Sequence, residues 1–357
     1  MKVMEELVHE YMVLTNMISD DDDDLTMNTS SLHSGDLAST TNNSLVKFYH
    51  KVFWDLSDPR TRDWFLLTSP IPGIGIMVAY LYFVLSWGPR HMEHRKPFVL
   101  KHTLVIYNFF QVLLSFWLFY EGLEGAWLRH YSWKCEPVDF SNSPHALRVA
   151  RGVYIYFLAK LTELLDTVFF VLRKKDKQIT FLHMYHHTVM PMISWGAAKY
   201  YPGGHGTFIG VINSFVHIIM YSYYMLAAVG PQLQKYLWWK KYITTLQMGQ
   251  FCLAFMHSFQ LLIYDCDYPK WSLVFILPNA IFFYFLFSEF YNKAYTPEQQ
   301  AAYDAAKKKK NDDAAAAAAT LTNGKANGVP QNGRIVQNGN GALANGKSSV
   351  NGKTKSA

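Results

Sequence analysis

The sequence predicts an all-α, polytopic membrane protein with seven transmembrane helices, and three observations carry that reading. Half of the 357 residues are hydrophobic and 16% are aromatic. Charged residues make up only 17%, against roughly 25% in a soluble domain. Apolar stretches of ~20 residues recur between short polar loops, the length a helix needs to cross a bilayer. The net charge of +6 sits largely in loops and the C-terminal tail. It therefore suits the cytosolic side of a membrane and does not call for nucleic acid.

Residues 1–62 form an acidic segment, expected to be disordered in part, with Glu5, Glu6, Glu10 and the run Asp20 to Asp24. It holds two glycosylation sequons, at Asn28 and Asn42, which are usable only in a secretory lumen. Tyr11–Ile18 is too short for a cleavable signal peptide and lacks a basic region before it, so the first span is expected to act as the targeting signal. The membrane domain, 63–296, carries spans at 65–86, 103–121, 152–172, 181–200, 207–228, 242–264 and 271–291. Cys266, Asp267 and Pro269 mark the break between the last two.

Lys and Arg set the orientation. The loops after spans one, three and five hold Arg90, Arg95, Lys96 and Lys101, then Arg173, Lys174, Lys175 and Lys177, then Lys235, Lys240 and Lys241. The opposite loops are poorer for their length: Arg129, Lys134, Arg148 and Arg151 in a long one, and only Lys199 and Lys270 in the others. The tail is basic, with Lys293 and Lys307 to Lys310. The C-terminus is then cytosolic and the N-terminus lumenal. Cys135 and Cys266 fall in two lumenal loops, where an oxidising compartment favours a bridge over two free thiols. Residues 297–357, rich in Ala, Asn and Gly, cannot bury a core and are expected to be disordered. They end with Lys353 and Lys355, third and fifth from the terminus, which resemble a dilysine retrieval signal of the endoplasmic reticulum.

Ionisable residues are costly inside a bilayer, so they suggest function. Span three has Lys160, Glu163, Asp166 and Thr167; positions 160, 163 and 167 share a helical face with Asp166 beside them. Span four opens with His183, His186 and His187. Span five has Asn213, His217 and Tyr221 in one stripe, and span six opens with Thr244, Gln247 and Gln250. Counted from the cytosolic ends, His186, Asp166, Gln247 and Gln250 lie roughly 8–13 Å deep, with His217 and Lys160 nearer the midplane. Polar groups from four spans thus converge in one half of the membrane. A lone histidine such as His257 reads as a packing residue, and Lys160 with Glu163 could be a buried ion pair that only orders the bundle.

Two chemistries suit the cluster. One is a membrane di-iron fatty-acyl oxygenase, with His91-Met92-Glu93-His94 as a second box, although such sites use about eight histidines in several boxes. The other uses histidine as acid, base or nucleophile on an acyl group, with Asn, Gln and Tyr stabilising an oxyanion or enolate. A seven-span receptor or transporter shares the topology, but it does not account for polar groups gathered in the cytosolic half.

Lys160-Leu-Thr-Glu163-Leu-Leu-Asp166-Thr167, His183-Met-Tyr-His186-His187, Asn213-Ser-Phe-Val-His217-Ile-Ile-Met-Tyr221-Ser-Tyr223-Tyr224 and Thr244-Thr-Leu-Gln247 resemble, in order and spacing, the signature motifs of the very-long-chain fatty acid elongase family. The resemblance covers roughly 45–296. It implies a seven-span endoplasmic-reticulum 3-ketoacyl-CoA synthase (3-oxoacyl-CoA synthase) with an acyl tunnel inside its bundle. That enzyme condenses a long-chain acyl-CoA with malonyl-CoA, releasing CO2 and CoA, with no cofactor beyond these substrates and no metal. Implied partners are the ketoacyl reductase, hydroxyacyl dehydratase and enoyl reductase of the elongation cycle, with homo- or hetero-oligomers common in the family. Pro202-Gly-Gly-His205-Gly-Thr-Phe208 looks like the branch acting on very long saturated, monounsaturated and polyunsaturated chains. On this reading His186 takes the acyl group as an acyl-imidazole. His183 and His187 orient or deprotonate it, and Asp166 or Glu163 fixes a tautomer. Asn213 and His217 hold a carbonyl, while Lys160, Tyr221, Gln247 and Gln250 add hydrogen bonds. Lys174, Lys175, Lys177, Lys240, Lys241 and Lys293 are candidates to attract the polyanionic CoA.

Overall fold

The computed structural model describes residues 44–296, together with Ala301, Ala305 and Asp312. The chain divides into two compact units, Met1–Thr296 and Pro297–Ala357, and every element below belongs to the first. The two sequons' asparagines, the acidic run, Tyr11–Ile18 and the terminal Lys353 and Lys355 lie outside the described residues.

Among the described residues all regular structure is helical. Helix α1 spans Pro70–Met92. Its first turn is set by Ser69, whose hydroxyl accepts from the Ile71 N–H, and by Pro70, placed where no N–H is needed. Helix α2 is Lys101–Trp127. Helix α3, Pro144–Thr162, repeats the Ser-Pro start, with Ser143 capping Ala146. Helix α4 is Leu164–Leu172. Helix α5, Phe181–Tyr200, is capped by Thr180, whose hydroxyl accepts from the His183 N–H. Helices α6 (Thr207–Val229), α7 (Lys240–Ile263) and α8 (Leu273–Tyr295) complete the bundle.

Four helical stretches are long and apolar enough to cross a membrane by length and composition: Pro70–Met92, Lys101–Trp127, Thr207–Val229 and Lys270–Tyr295. The other expected spans are also covered by helix, in α3 with α4, in α5 and in α7. Those three carry the acidic and basic residues of span three, the histidine triplet, and the Lys240–Gln250 stretch.

The helix of span three is broken at Glu163, between α3 and α4. The Thr162 hydroxyl turns back to the Ala159 carbonyl (2.7 Å), a bond that competes with helix continuation. The Thr162 carbonyl is taken instead by the Tyr107 hydroxyl of α2 (3.2 Å), and Gln111 of α2 donates to the Thr162 hydroxyl (2.9 Å). Side chains thus re-satisfy backbone freed by the break, the condition for irregular backbone in a bilayer. α2 also lies close against α6: a Cβ on Gly122 would fall 2.4 Å from Val211 Cγ2, so only glycine permits this contact.

Contacts sort the loops to two ends. At one end Cys135 and Cys266 are joined by a disulfide. Beside them Gly204 turns with φ +63 against the Glu136 and Pro137 backbone, and the His205 N–H donates to the Glu136 carbonyl. Residues 56–69 strap this end. Arg60 is clamped by Asp58 and donates to the carbonyls of Asp139 and Ser141, while Thr61 and the Asp58 N–H reach the carbonyls of Ala198 and Lys199. The Lys199 ammonium, fully buried, donates back to the Leu67 carbonyl (2.6 Å). At the other end the Phe98 N–H meets the Leu172 carbonyl, and Lys174 donates to the Glu93 carbonyl (2.9 Å).

Candidate active site

Two buried polar groups lie side by side, built from the residues that the sequence singles out. The first joins α3 to α6. Lys160 Nζ donates to both Glu163 oxygens (2.8 and 3.1 Å) and to Asn213 Oδ1 (2.8 Å). Tyr156, one turn before Lys160, donates to the same Asn213 oxygen (2.9 Å). His217 Nδ1 lies 3.2 Å from Glu163 Oε1. Lys160 is 2% exposed and Glu163 3%, so water does not satisfy these charges. They are stable there because each is both paired and hydrogen-bonded. Next to this group Tyr221 donates to Asp166 Oδ2 (2.7 Å).

The second group joins α4 to α5. Thr167 Oγ1, fully buried, is 2.8 Å from His183 Nε2 and 2.8 Å from the hydroxyl of Tyr80 on α1. The His183 ring packs on His187 (centroids 4.2 Å), which meets His186 edge to face (5.1 Å); Phe283 of α8 walls the far side of His186. Glu163 and Thr167, one helical turn apart on the same span, tie the first group to the second.

Some expectations change. Lys160, Glu163 and Thr167 do not act on one neighbour. Glu163 meets His217 of α6 while Thr167 meets His183 of α5. The carboxylate beside a histidine is Glu163 and its histidine is His217, whereas Asp166 is occupied by Tyr221. Gln247 donates to Met220 Sδ (3.5 Å), and Gln250 is buried. Lys175, Lys240 and Lys241 are exposed, Lys241 lying over the Tyr242 ring, and Lys174 is tied to Glu93. Lys293 pairs with Glu289 one turn away. Among the described residues no group of three or more His, Cys, Asp or Glu is arranged to hold a metal.

Sequence reasoning missed Tyr156, Tyr107, Gln111 and Tyr80. Tyr156 carried a signal, since it precedes Lys160 by one helical turn on the same stripe. Tyr80 carried none, being one aromatic residue among many in an apolar span.

Behind the polar groups lies an apolar cavity of about 130 Å³. It runs between α2, α3, α5 and α6, from Tyr156 and Ser214 at the polar end to Tyr201 and Tyr268 at the other. Gly152 and Gly210 line it, and a Cβ on Gly152 would meet nothing within 4 Å.

Comparison with known proteins agrees with the signature motifs. Residues 65–303 match the ELO, GNS1/SUR4 family. A very long chain fatty acid elongase of Aedes aegypti is 52% identical over 248 residues, 69% of this chain and 69% of that protein. Very long chain fatty acid elongase 7 of Drosophila melanogaster is 54% identical over 240 residues, 67% of this chain and 73% of that one. Very long chain fatty acid elongase 4 of Mus musculus is 42% identical over 319 residues, 89% and 95% of the two chains. With motifs, helical architecture and relatives in agreement, this chain belongs to the ELO (GNS1/SUR4) family, in which the relatives just named are very long chain fatty acid elongases.

Proposed function

We propose that the protein is the condensing enzyme of fatty acid elongation in the endoplasmic reticulum membrane, a seven-span 3-oxoacyl-CoA synthase with a lumenal N-terminus and a cytosolic C-terminus. The observation that carries this reading is the meeting of a buried imidazole and amide cluster with an apolar cavity, through Tyr156, which lines the cavity and bonds Asn213. Such a cavity suits a hydrocarbon tail, and the cluster suits its thioester.

In the first half-reaction His186 attacks the thioester carbonyl of the acyl-CoA. The C–S bond breaks, the imidazole proton passes to the thiolate, and CoA leaves. In the second, malonyl-CoA loses CO2 and the resulting carbanion attacks the acyl carbon. Imidazole departs, takes up a proton, and 3-oxoacyl-CoA is released. The side chains have distinct parts. Asn213 Oδ1 already accepts from Tyr156 and Lys160, so its NH2 is the group turned to donate to a carbonyl oxygen. Glu163 fixes the proton of His217 on Nδ1, leaving Nε2 as acceptor. His183 and His187 hold the His186 ring. Lys174, Lys175, Lys240 and Lys241 face the cytosol and draw in CoA. The product passes to the reductase and dehydratase of the same cycle, whose substrates are this 3-oxo ester and its alcohol.

Purified protein incubated with acyl-CoA alone should gain the mass of one acyl group, and should release labelled CO2 once malonyl-CoA is added. His186→Ala should abolish both. An active His186→Ala, or a wild type that never carries the adduct, rejects the covalent route. Metal-dependent oxygen consumption would reject condensation altogether.

A further inference from the structure

One buried contact chain meets the scheme above only at His183, its last member. It starts on α1, whose outer face is openly apolar, with Ile71, Ile74, Val78, Tyr82 and Leu85 all exposed. Its inner face presents Tyr80, 6% exposed, packed among Val84, Met92, Leu164 and Val171. In that apolar setting a phenol needs a partner, and two are available: Thr167 Oγ1 at 2.8 Å and Met184 Sδ at 3.9 Å. Thr167 Oγ1 also meets His183 Nε2 at 2.8 Å.

Proton counting orients the chain. The threonine hydroxyl has one proton and two oxygen or nitrogen neighbours. The phenol is more acidic than an alcohol and is the better donor of the two. With the Tyr80 proton given to the oxygen at 2.8 Å in preference to the sulfur at 3.9 Å, Thr167 is left to donate to His183. His183 Nε2 then accepts, and its own proton sits on Nδ1. We propose that Tyr80 is a positioning residue of the active site, which acts through Thr167 to lock the tautomer and ring orientation of His183. His183 packs at a tilt against His187, and His187 edge to face against His186, so a loose His183 ring lets the reacting imidazole wander. The inference rests on the condensing-enzyme reading for its kinetic consequence, though not for the tautomer itself. No bond is made or broken in the chain.

The test uses the full-length protein in nanodiscs, comparing the wild type with Tyr80→Phe, Thr167→Val and Thr167→Ser. Losing one buried hydrogen bond of ~1–1.5 kcal/mol corresponds to about a tenfold fall in kcat. Thr167→Val should show that fall and Tyr80→Phe about a threefold to tenfold one, with KM for both CoA esters within twofold of wild type. Thr167→Ser, which keeps the hydroxyl, should stay within twofold. Nitrogen-15 NMR of histidine-labelled protein, with His183 assigned by its loss in His183→Asn, should show Nδ1–H in the wild type and a mixture in Tyr80→Phe and Thr167→Val. The proposal is overturned if the tautomer does not move, or if Thr167→Ser loses as much activity as Thr167→Val. Should Thr167→Val fail to fold, Tyr80→Phe, which lacks a single oxygen, still decides. A wild type that consumes no malonyl-CoA would sink the condensing reading alone, because the tautomer measurement needs no turnover.

Discussion

Lys160 is the residue on which the interior polar group turns, since it binds Glu163 and Asn213 together. Removing it leaves a carboxylate in an apolar interior. Lys160→Met is expected to cost about 3–5 kcal/mol, read as a lower unfolding midpoint in detergent. Lys160→Met with Glu163→Leu, which removes both charges, should recover most of that stability and none of the condensing activity. If the double variant is as unstable as the single one, the pair is not held by mutual neutralisation. The sequence showed these residues, because intramembrane charge is scarce and each ion stands out. It offered the Lys160–Glu163 pair that the structure contains, but not the partners on the other helices. Asp166 and Glu163 look equivalent in a string, yet one faces Tyr221 and the other His217. Which carboxylate meets which ring depends on the helices packed against each face, which side-chain spacing does not encode.

At the scale of elements, hydropathy located every long helix but not their ends or breaks. Span three was expected at 152–172, and helix begins earlier, at Pro144, because the Ser143-Pro144 pair makes a helix start out of polar residues. The break at Glu163 was invisible, since Leu161-Thr-Glu-Leu-Leu reads as continuous helix. It depends on Tyr107 and Gln111 reaching across from α2. Deleting Leu164 would rotate α4 by ~100° relative to α3. That should separate Thr167 from His183 and abolish turnover while the protein still accumulates in the membrane. The α2–α6 contact gives a second test. Gly122→Val should cost about 1–3 kcal/mol by overpacking against Val211, with partial rescue by Val211→Ala in the same unfolding measurement. The cavity gives a third. Gly152→Leu has open space to enter, so it should shorten the products measured by gas chromatography and leave short-chain turnover near wild type.

For the molecule as a whole, the sorting of loops between two ends was readable from charge, because lysine and arginine crowd alternate loops. The strap over residues 56–69 was not. It is built from backbone carbonyls meeting Arg60, Thr61 and Lys199, and carbonyls carry no sequence signature. The disulfide between Cys135 and Cys266 closes 131 residues. Replacing both cysteines with serine should lower stability by about 2–5 kcal/mol in the same detergent assay. An unchanged midpoint would mean that the strap alone secures this end. The two ends differ in stiffness as a result. One pole is stapled covalently and laced by buried ions; at the other, the Phe98 N–H meets the Leu172 carbonyl and Lys174 meets that of Glu93. Covalent stapling should leave more of the bundle's breathing to the basic pole, read as faster amide exchange there. On the proposed function, a hydrocarbon tail seated in the cavity is expected to leave past the histidines, against the direction of the stapled pole. Each round of elongation would then end in retraction instead of through-passage, and residence time should lengthen with every two carbons added.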